Sequence, residues 1–501
     1  MSSLRFSLLN NRLLFGGMVF FGMLAMTGRH AIDPDLWWHL RTGQWIVETG
    51  HIPRTDPFSF TRGGSPWISH EWLSELFFYL LWKVGGFTAL IFASSIVTSV
   101  GFVFLYARCA AKPHWAAAAT VLGATAAAPC WGVRPQMFTF TLASVFLWLI
   151  ERSQTRPRIL LWLPPLFILW LNLHAGFALG PALLLSYSVG IVAEVVVGTT
   201  SWRDAKPAVM RLFTATAACL ALVPLNPSGV RLYRYPFDTL RSPTMRSLIV
   251  EWFSPDFHLP LYLPLLLILL LLLAGVAKTG PKIKGRVLLP LLLGCFAALD
   301  AARHIPIFVL LGIPVLANQF GGSPSMRRPF LSPSPSLRRF PVFRMAVMAL
   351  LTAFAAVRWA SLARSQTTSE AQEFPKSAIN FLRSHPQPPR IFAYNDWGGY
   401  LIWNSYPQNR VLVDGRADLY GDALLRECQN AMLLHNGWQA TLLRWDVDTV
   451  LIPPGSALSQ ALILNPAWSK SYQDSRSVVF VRVGKPSAPY ATDLPIKGTQ
   501  R

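Results

Sequence analysis

The sequence predicts an all-α polytopic membrane bundle of about eleven transmembrane helices, followed by a C-terminal soluble α/β domain. Three observations carry this. The 501 residues are 52% hydrophobic but only 14% charged, against about 25% charged in ordinary soluble chains, which excludes a single water-soluble globule. Leu259–Lys278 (LPLYLPLLLILLLLLAGVAK) has no charge until its last residue, and about 20 such residues as helix cross a hydrocarbon core. After Leu362 the composition turns polar, and short strand-like and helix-like pieces alternate. The net charge of +21 sits in short loops between apolar runs, so neither disorder nor nucleic-acid binding accounts for it.

The apolar runs define the membrane domain, residues 1–365. They are Leu13–Gly28, Phe87–Ala107, Trp115–Pro129, Gln136–Ile150, Ile159–Leu173, Phe177–Val197, Ala208–Leu225, Leu259–Val276, Val287–Leu299, Ile305–Gln319 and Phe343–Leu362. Pro164-Pro165 interrupts the fifth. Arg5 and Arg12 precede the first run, which has no small-x-small cleavage site and reads as an uncleaved span.

Lys and Arg in alternate loops orient the bundle. One set holds Arg108 and Lys112; Arg152, Arg156 and Arg158; Arg203, Lys206 and Arg211; Lys278, Lys282, Lys284 and Arg286; and Arg327, Arg328, Arg338, Arg339 and Arg344. The opposite short connections hold only Arg134 and Arg303. The first set is therefore expected in the cytoplasm, with the N-terminus inside and the tail outside. Most acids and histidines then fall on the outer side, in two long loops (29–86 and 226–258), at Asn172 and His174, and from Asp300 to His304.

In the first outer loop, Asp33-Pro34 predicts a helix start, with Asp33 as N-cap and Gly50 closing the end. Asp35, Trp38, His39 and Thr42 then share a face. Ser69–Gly86 predicts a second helix, with Glu71 and Glu75 one turn apart. The tryptophans read as anchors at the water–lipid interface, with both helices along the membrane surface. Asp56, His70 and Glu71 add polar groups between apolar stretches. Each residue also has a plain structural role open to it: Asp33 as cap, Asp56-Pro57 as a turn, and the glutamates as a solvated stripe.

Cys109, Cys130, Cys219 and Cys295 lie in or beside apolar runs and Cys428 in the tail, with no CxxC, so no disulfide framework or thiolate site is indicated.

The segments DPDLWWHLRTGQWI, IPRTDPFSFT, PWISHEWLSE, NDWGGYLIW and DGRADLYG together resemble a bacterial group of membrane proteins assigned to the GT-C superfamily. These polytopic glycosyltransferases use polyprenyl-phosphate sugars. The resemblance implies a GT-C-like fold and a sugar transfer from a polyprenyl-phosphate donor to a lipid, glycan or protein acceptor. It implies Asp35 as the base, Asp33 as second choice, and inversion by direct attack. It places the protein in a bacterial inner membrane, with chemistry at the outer face.

The chemistry agrees in outline. A lipid-phosphate leaving group needs no protonation, so one carboxylate near the acceptor hydroxyl suffices, a contribution of about 10²–10⁴-fold. The developing phosphate charge needs cations, for which Arg134, Arg303 and His304 are candidates, with Arg231, Arg234, Arg241 and Arg246 in the second long loop. His39, Asp56, His70, Glu71, His174 and Glu251 are the remaining candidates for substrate binding. A divalent metal on Asp35, Asp56, His70 or Glu71 is chemically reasonable, although no spacing is diagnostic. The alternative, a transporter or flippase of lipid-linked saccharides, would place ionisable groups near the midplane, where Glu194 alone stands out.

The soluble domain, residues 366–490 ahead of a 491–501 tail, reads as Lys376–Ser384, Arg390–Tyr394, Arg410–Asp414, Ala423–Leu434, Trp438–Trp445, Thr449–Ile452, Ser456–Leu464 and a Tyr472–Val483 hairpin. Its sharp motifs are Asp396-Trp397-Gly398-Gly399-Tyr400 and Asp414-Gly415-Arg416-x-Asp418. Asp414 ends an expected strand, a common place for ligand contacts, while turn geometry is the plainer reason for the glycines. No nucleotide-binding glycine pattern occurs.

Overall fold

The structure, a computed structural model, describes residues 11–279, 283–321 and 341–484. Arg5, Lys282, Arg327, Arg328, Arg338, Arg339 and the 491–501 tail lie outside these residues. Two compact units result: Met1–Ala31 with Ser69–Gln366, and Ile32–Ile68 with Thr367–Arg501.

In the first unit every expected span lies on a helix. Among the described residues, six helical stretches are long and apolar enough to cross a membrane, and Arg12–Thr27 and Pro157–Leu173 are apolar but shorter. The chain is a multi-pass membrane protein. The three other expected spans fall on helices of 14, 17 and 16 residues, Pro113–Ala126, Gln136–Arg152 and Gly285–Asp300, short of the roughly 20 that a bilayer asks for.

Two local features follow from backbone chemistry. Ser69–Gly86 and the next span are one helical stretch, Trp72–Arg108, broken at Gly85 and Gly86. Gly86 has φ 60° and ψ −154°, a conformation open in practice only to glycine. Pro164-Pro165 marks a change of helix type in the fifth span: a 3-10 helix, Pro157–Trp162, ends just before it, and the pair lies in the first turn of Leu163–Leu173, where an absent N–H costs nothing.

Buried charge pairs lie inside this unit. Arg108 meets Glu151 at 2.8 Å. Glu194 meets Arg286 at 2.5 Å, which gives that buried acid a structural partner.

The second unit is built on a five-stranded sheet of β1 (Arg390–Ala393), β2 (Arg410–Val411), β3 (Thr449–Ile452), β4 (Trp468–Gln473) and β5 (Val478–Arg482), in the order β2-β1-β3-β5-β4. β1 is parallel to β2 and β3, and the β4–β5 hairpin pairs antiparallel through β5. Fully buried residues in β1, β3 and β5 (Ile391, Val450, Leu451 and Val479) form the core. The expected helix from Ala423 begins earlier, as Ala417–Met432, and Gly398–Ser405, which starts at the end of the NDWGG segment, is a helix that the sequence reading left unassigned.

Ile32–Ile68, expected as an outer loop of the membrane domain, belongs to this second unit. Residues 54–67 fold back on themselves, with Asp56 N–H donating to the Ser65 carbonyl and Trp67 N–H to that of Arg54, both at 2.9 Å. Ser59 then bridges to Val411, and Phe60 N–H donates to the Val411 carbonyl at 3.1 Å. The edge of β2 is thereby covered, as an exposed strand edge requires. The helix Leu36–Thr49 buries Trp37 against Phe374 and Tyr400, with ring centroids 5.1 and 4.7 Å away. Trp37, Trp38 and Trp67 are 1%, 7% and 6% exposed. They are core residues, not interfacial anchors, because the neighbouring tail segment supplies the apolar surface that lipid was expected to supply.

Candidate functional site

Candidate polar centres occur in both units. In the membrane unit one forms where the connections between helices meet. His174 closes the helix Leu163–Leu173. Its Nδ1 accepts the Gly176 N–H at 3.0 Å and faces Thr139 Oγ1 at 2.8 Å. Thr139 Oγ1 accepts the Trp170 indole N–H at 2.8 Å, so its own proton points to His174. The network assigns a neutral ring with its proton on Nε2, which lies 3.8 Å from Glu71 Oε1. Burial pushes the imidazole pKa down to about 4, despite the opposing charge of Glu71.

Glu71, at the cap position of Trp72–Arg108, also bonds His70 Nε2 at 2.7 Å. The His70 ring packs on Tyr235, centroids 4.2 Å apart. Arg134 pairs with Glu251, and Arg303 lies over the Trp252 ring at 4.4 Å. Burial would raise the Glu251 carboxyl, but Arg134 and Arg303 outweigh it and hold the pKa below its ordinary value. Glu71, His70, Arg303 and Arg134 all act electrostatically on His174. Arg134, Arg303 and His174 also act on Glu251.

The second centre lies in the sheet-containing unit. The helix starts at Leu36, two residues later than expected, with Asp35 at the cap position. Asp33 Oδ1 accepts the Asp35 N–H at 3.0 Å, and Asp35 Oδ1 accepts the Trp38 indole N–H at 3.1 Å. Both tail motifs reach this spot. A Cβ on Gly399 would meet the Pro34 carbonyl at 2.7 Å, and one on Gly415 would collide with the Asp35 carboxylate. Close backbone approach, rather than turn geometry, is what these glycines serve. Asp396 is pushed above its ordinary pKa by burial, with Asp33 adding to the push.

Other candidates are used up within the fold. Asp56 accepts from Arg416 Nη1 at 2.8 Å and from the Phe58 and Ser59 backbone N–H groups at 3.0 and 3.1 Å, with its side chain 0% exposed. A carboxylate so surrounded is not offered to a substrate. His39 is buried against Trp38, ring centroids 3.7 Å apart. His304 Nδ1 faces the Ala297 carbonyl at 3.2 Å. Asp300 pairs with Arg246 at 2.7 Å, not with Arg303 or His304, and Arg234 pairs with Asp238 at 2.9 Å. Asn172 accepts from the Trp72 indole at 2.7 Å and from Asn226 Nδ2 at 3.2 Å, so it joins helix ends. Among the described residues no three His, Cys, Asp or Glu side chains are grouped to hold a metal ion; of the suggested donors, Asp56 is bound to Arg416.

Sequence reasoning missed Tyr235, Thr139 and Tyr420, whereas Asp396, Asp414 and Arg416 lie in the two tail motifs it singled out. The DGRADLYG segment was the available signal for Tyr420; nothing local marks Tyr235 or Thr139.

No family description matches the chain, and no curated protein matches it in sequence. Solved structures do match in fold. The archaeal oligosaccharyltransferase AglB from Archaeoglobus fulgidus, in complex with an inhibitory peptide and a dolichol-phosphate, matches with a TM-score of 0.56 at 11% identity, over 88% of this chain and 69% of that one. The Archaeoglobus fulgidus oligosaccharyltransferase in complex with Zn and sulfate gives 0.53 at 10%, over 93% and 73%. ArnT from Cupriavidus metallidurans bound to undecaprenyl phosphate gives 0.50 at 14%, over 95% and 99%. These neighbours are GT-C superfamily membrane glycosyltransferases, so the fold implied by the sequence resemblance is the fold found.

Proposed function

Taking the GT-C fold as premise, we propose that this chain is an integral-membrane glycosyltransferase that moves a sugar from a polyprenyl-phosphate donor to a lipid, glycan or protein acceptor. The observation that carries the reading is the nearly end-to-end likeness in fold to a transferase bound to undecaprenyl phosphate.

Asp35 acts as general base. Its carboxylate is half-buried and held by the Trp38 indole. Asp33 is turned back onto the Asp35 amide, which makes it a positioning group. Asp35 takes the proton of the acceptor hydroxyl as the new bond forms at the anomeric carbon. The bond to phosphate oxygen breaks on the opposite face, and the configuration inverts. The membrane unit has a centre of its own, where Arg134 and Arg303 offer cations to a lipid phosphate and the His174 Nε2–H adds a neutral donor. Fixed donors of this kind stabilise negative charge. Glu251, with Arg134 and Arg303 as neighbours, keeps both guanidiniums in place, and His70 and Glu71 offer hydrogen bonds to a sugar. The basic inner loops support a cytoplasmic N-terminus and an extracytoplasmic soluble unit in a bacterial inner membrane.

The test is transfer by purified protein from a panel of undecaprenyl-phosphate sugars. Asp35→Asn should lower turnover by about 10²–10⁴-fold while the protein remains folded and binds undecaprenyl phosphate. Turnover close to that of the unaltered protein would remove Asp35 from the mechanism. Failure of the unaltered protein to bind undecaprenyl phosphate would remove the donor class.

A further inference from the structure

Arg416 is about 1% exposed and is gripped on three sides. Its Nε and Nη2 donate to the two oxygens of Asp414 at 2.8 and 2.7 Å, and its Nη1 donates to Asp56 at 2.8 Å. The Tyr420 hydroxyl donates to Asp414 as well. The guanidinium lies over Trp67 at 4.7 Å and Phe58 at 5.2 Å. A planar fork with two carboxylates and two aromatic faces has one position open to it.

This network touches the proposed base by two routes. Gly415 lies between Asp414 and Arg416, and the point where its Cβ would stand is taken by Asp35 Oδ1, with Trp38 Nε1 3.3 Å away. Trp67, beneath Arg416, meets Trp38 edge-on at 6.1 Å, and Trp38 is the residue that bonds Asp35.

We infer that the Asp414-Gly415-Arg416 turn is a positioning element for the Asp35 carboxylate. The Arg416 network holds the turn rigid, and the bare Cα of Gly415 sets how deep the carboxylate sits beside Trp38. The soluble sheet domain is thus a working part of the transferase. This deepens the reading of Asp35 as base and rests on it. Misplacing a reacting group by about 1 Å costs on the order of 10²-fold in rate, so a single methyl group at Gly415 is a sharp probe.

The experiment compares Gly415→Ala with Gly455→Ala, a control whose added methyl group meets nothing within 4 Å. Gly415→Ala should lower kcat by about 10²-fold, leave undecaprenyl-phosphate binding unchanged, and alter the pH dependence of carbodiimide labelling at Asp35, read by peptide mass spectrometry. Gly455→Ala should change none of these. Unchanged kcat and unchanged Asp35 labelling in Gly415→Ala would overturn the inference, as would equal loss of lipid binding and turnover. The labelling arm needs no sugar transfer, so it judges the positioning claim even where the unaltered protein transfers nothing, an outcome that counts against the proposed function alone.

Discussion

Arg416 donates to Asp56 at 2.8 Å across 360 residues of sequence, and the two side chains are 1% and 0% exposed. An ion pair so buried is costly to form but far more costly to halve. Arg416→Ala would leave Asp56 and Asp414 facing each other without a cation. It should destabilise the sheet-containing unit by about 3–5 kcal/mol, read as a lower melting temperature and faster proteolysis between residues 367 and 484. Asp56→Asn keeps one acceptor oxygen and should cost less.

His174 predicts an acid-sensitive membrane unit. Its folded pKa of about 4 lies below the ordinary 6.5, so the unfolded chain takes up the proton first as pH falls. The stabilisation is complete above about pH 6.5 and is lost progressively toward pH 4. The melting temperature of the detergent-solubilised protein should fall across this window, and His174→Gln should flatten that limb.

Arg134 predicts a defect in donor affinity. A charged hydrogen bond contributes about 1.5–3 kcal/mol, so Arg134→Gln should raise KM for the lipid donor by about 10–10²-fold. If kcat falls while KM holds, Arg134 acts on the transition state alone.

The kink at Gly86 predicts a backbone-specific effect. Its φ of 60° with ψ −154° strains any residue with a Cβ by about 1–3 kcal/mol. Gly86→Ala should lower the melting temperature, whereas Gly22→Ala, which meets nothing within 4 Å, should leave it unchanged.

Part of the polar centre of the membrane unit is legible in the sequence. His70, Glu71, Arg134, His174, Glu251 and Arg303 sit in alternate loops on one side of the apolar runs; in the structure His70, Glu71, Arg134 and Arg303 act on His174, and Arg134, Arg303 and His174 act on Glu251. Alternation works because a helix that crosses a bundle sends every second connection to the same end. Asp56, His39 and Trp37 were misread for a different reason. Each is a polar or amphipathic residue in a loop between spans, and only its partners, Arg416, Trp38, Phe374 and Tyr400, show it to be interior.

Hydropathy and periodicity therefore determined the membrane bundle, its helices and the mixed sheet domain, since burial in lipid or in a sheet is written into neighbouring residues at short range. The tertiary structure alone decided that Ile32–Ile68 folds with Thr367–Arg501. It alone set Asp35 against Gly415 and joined Asp56 to Arg416. Those choices rest on ion pairs and close backbone contacts between distant segments, whose energy depends on complementary shape and burial and leaves no periodic trace along the chain.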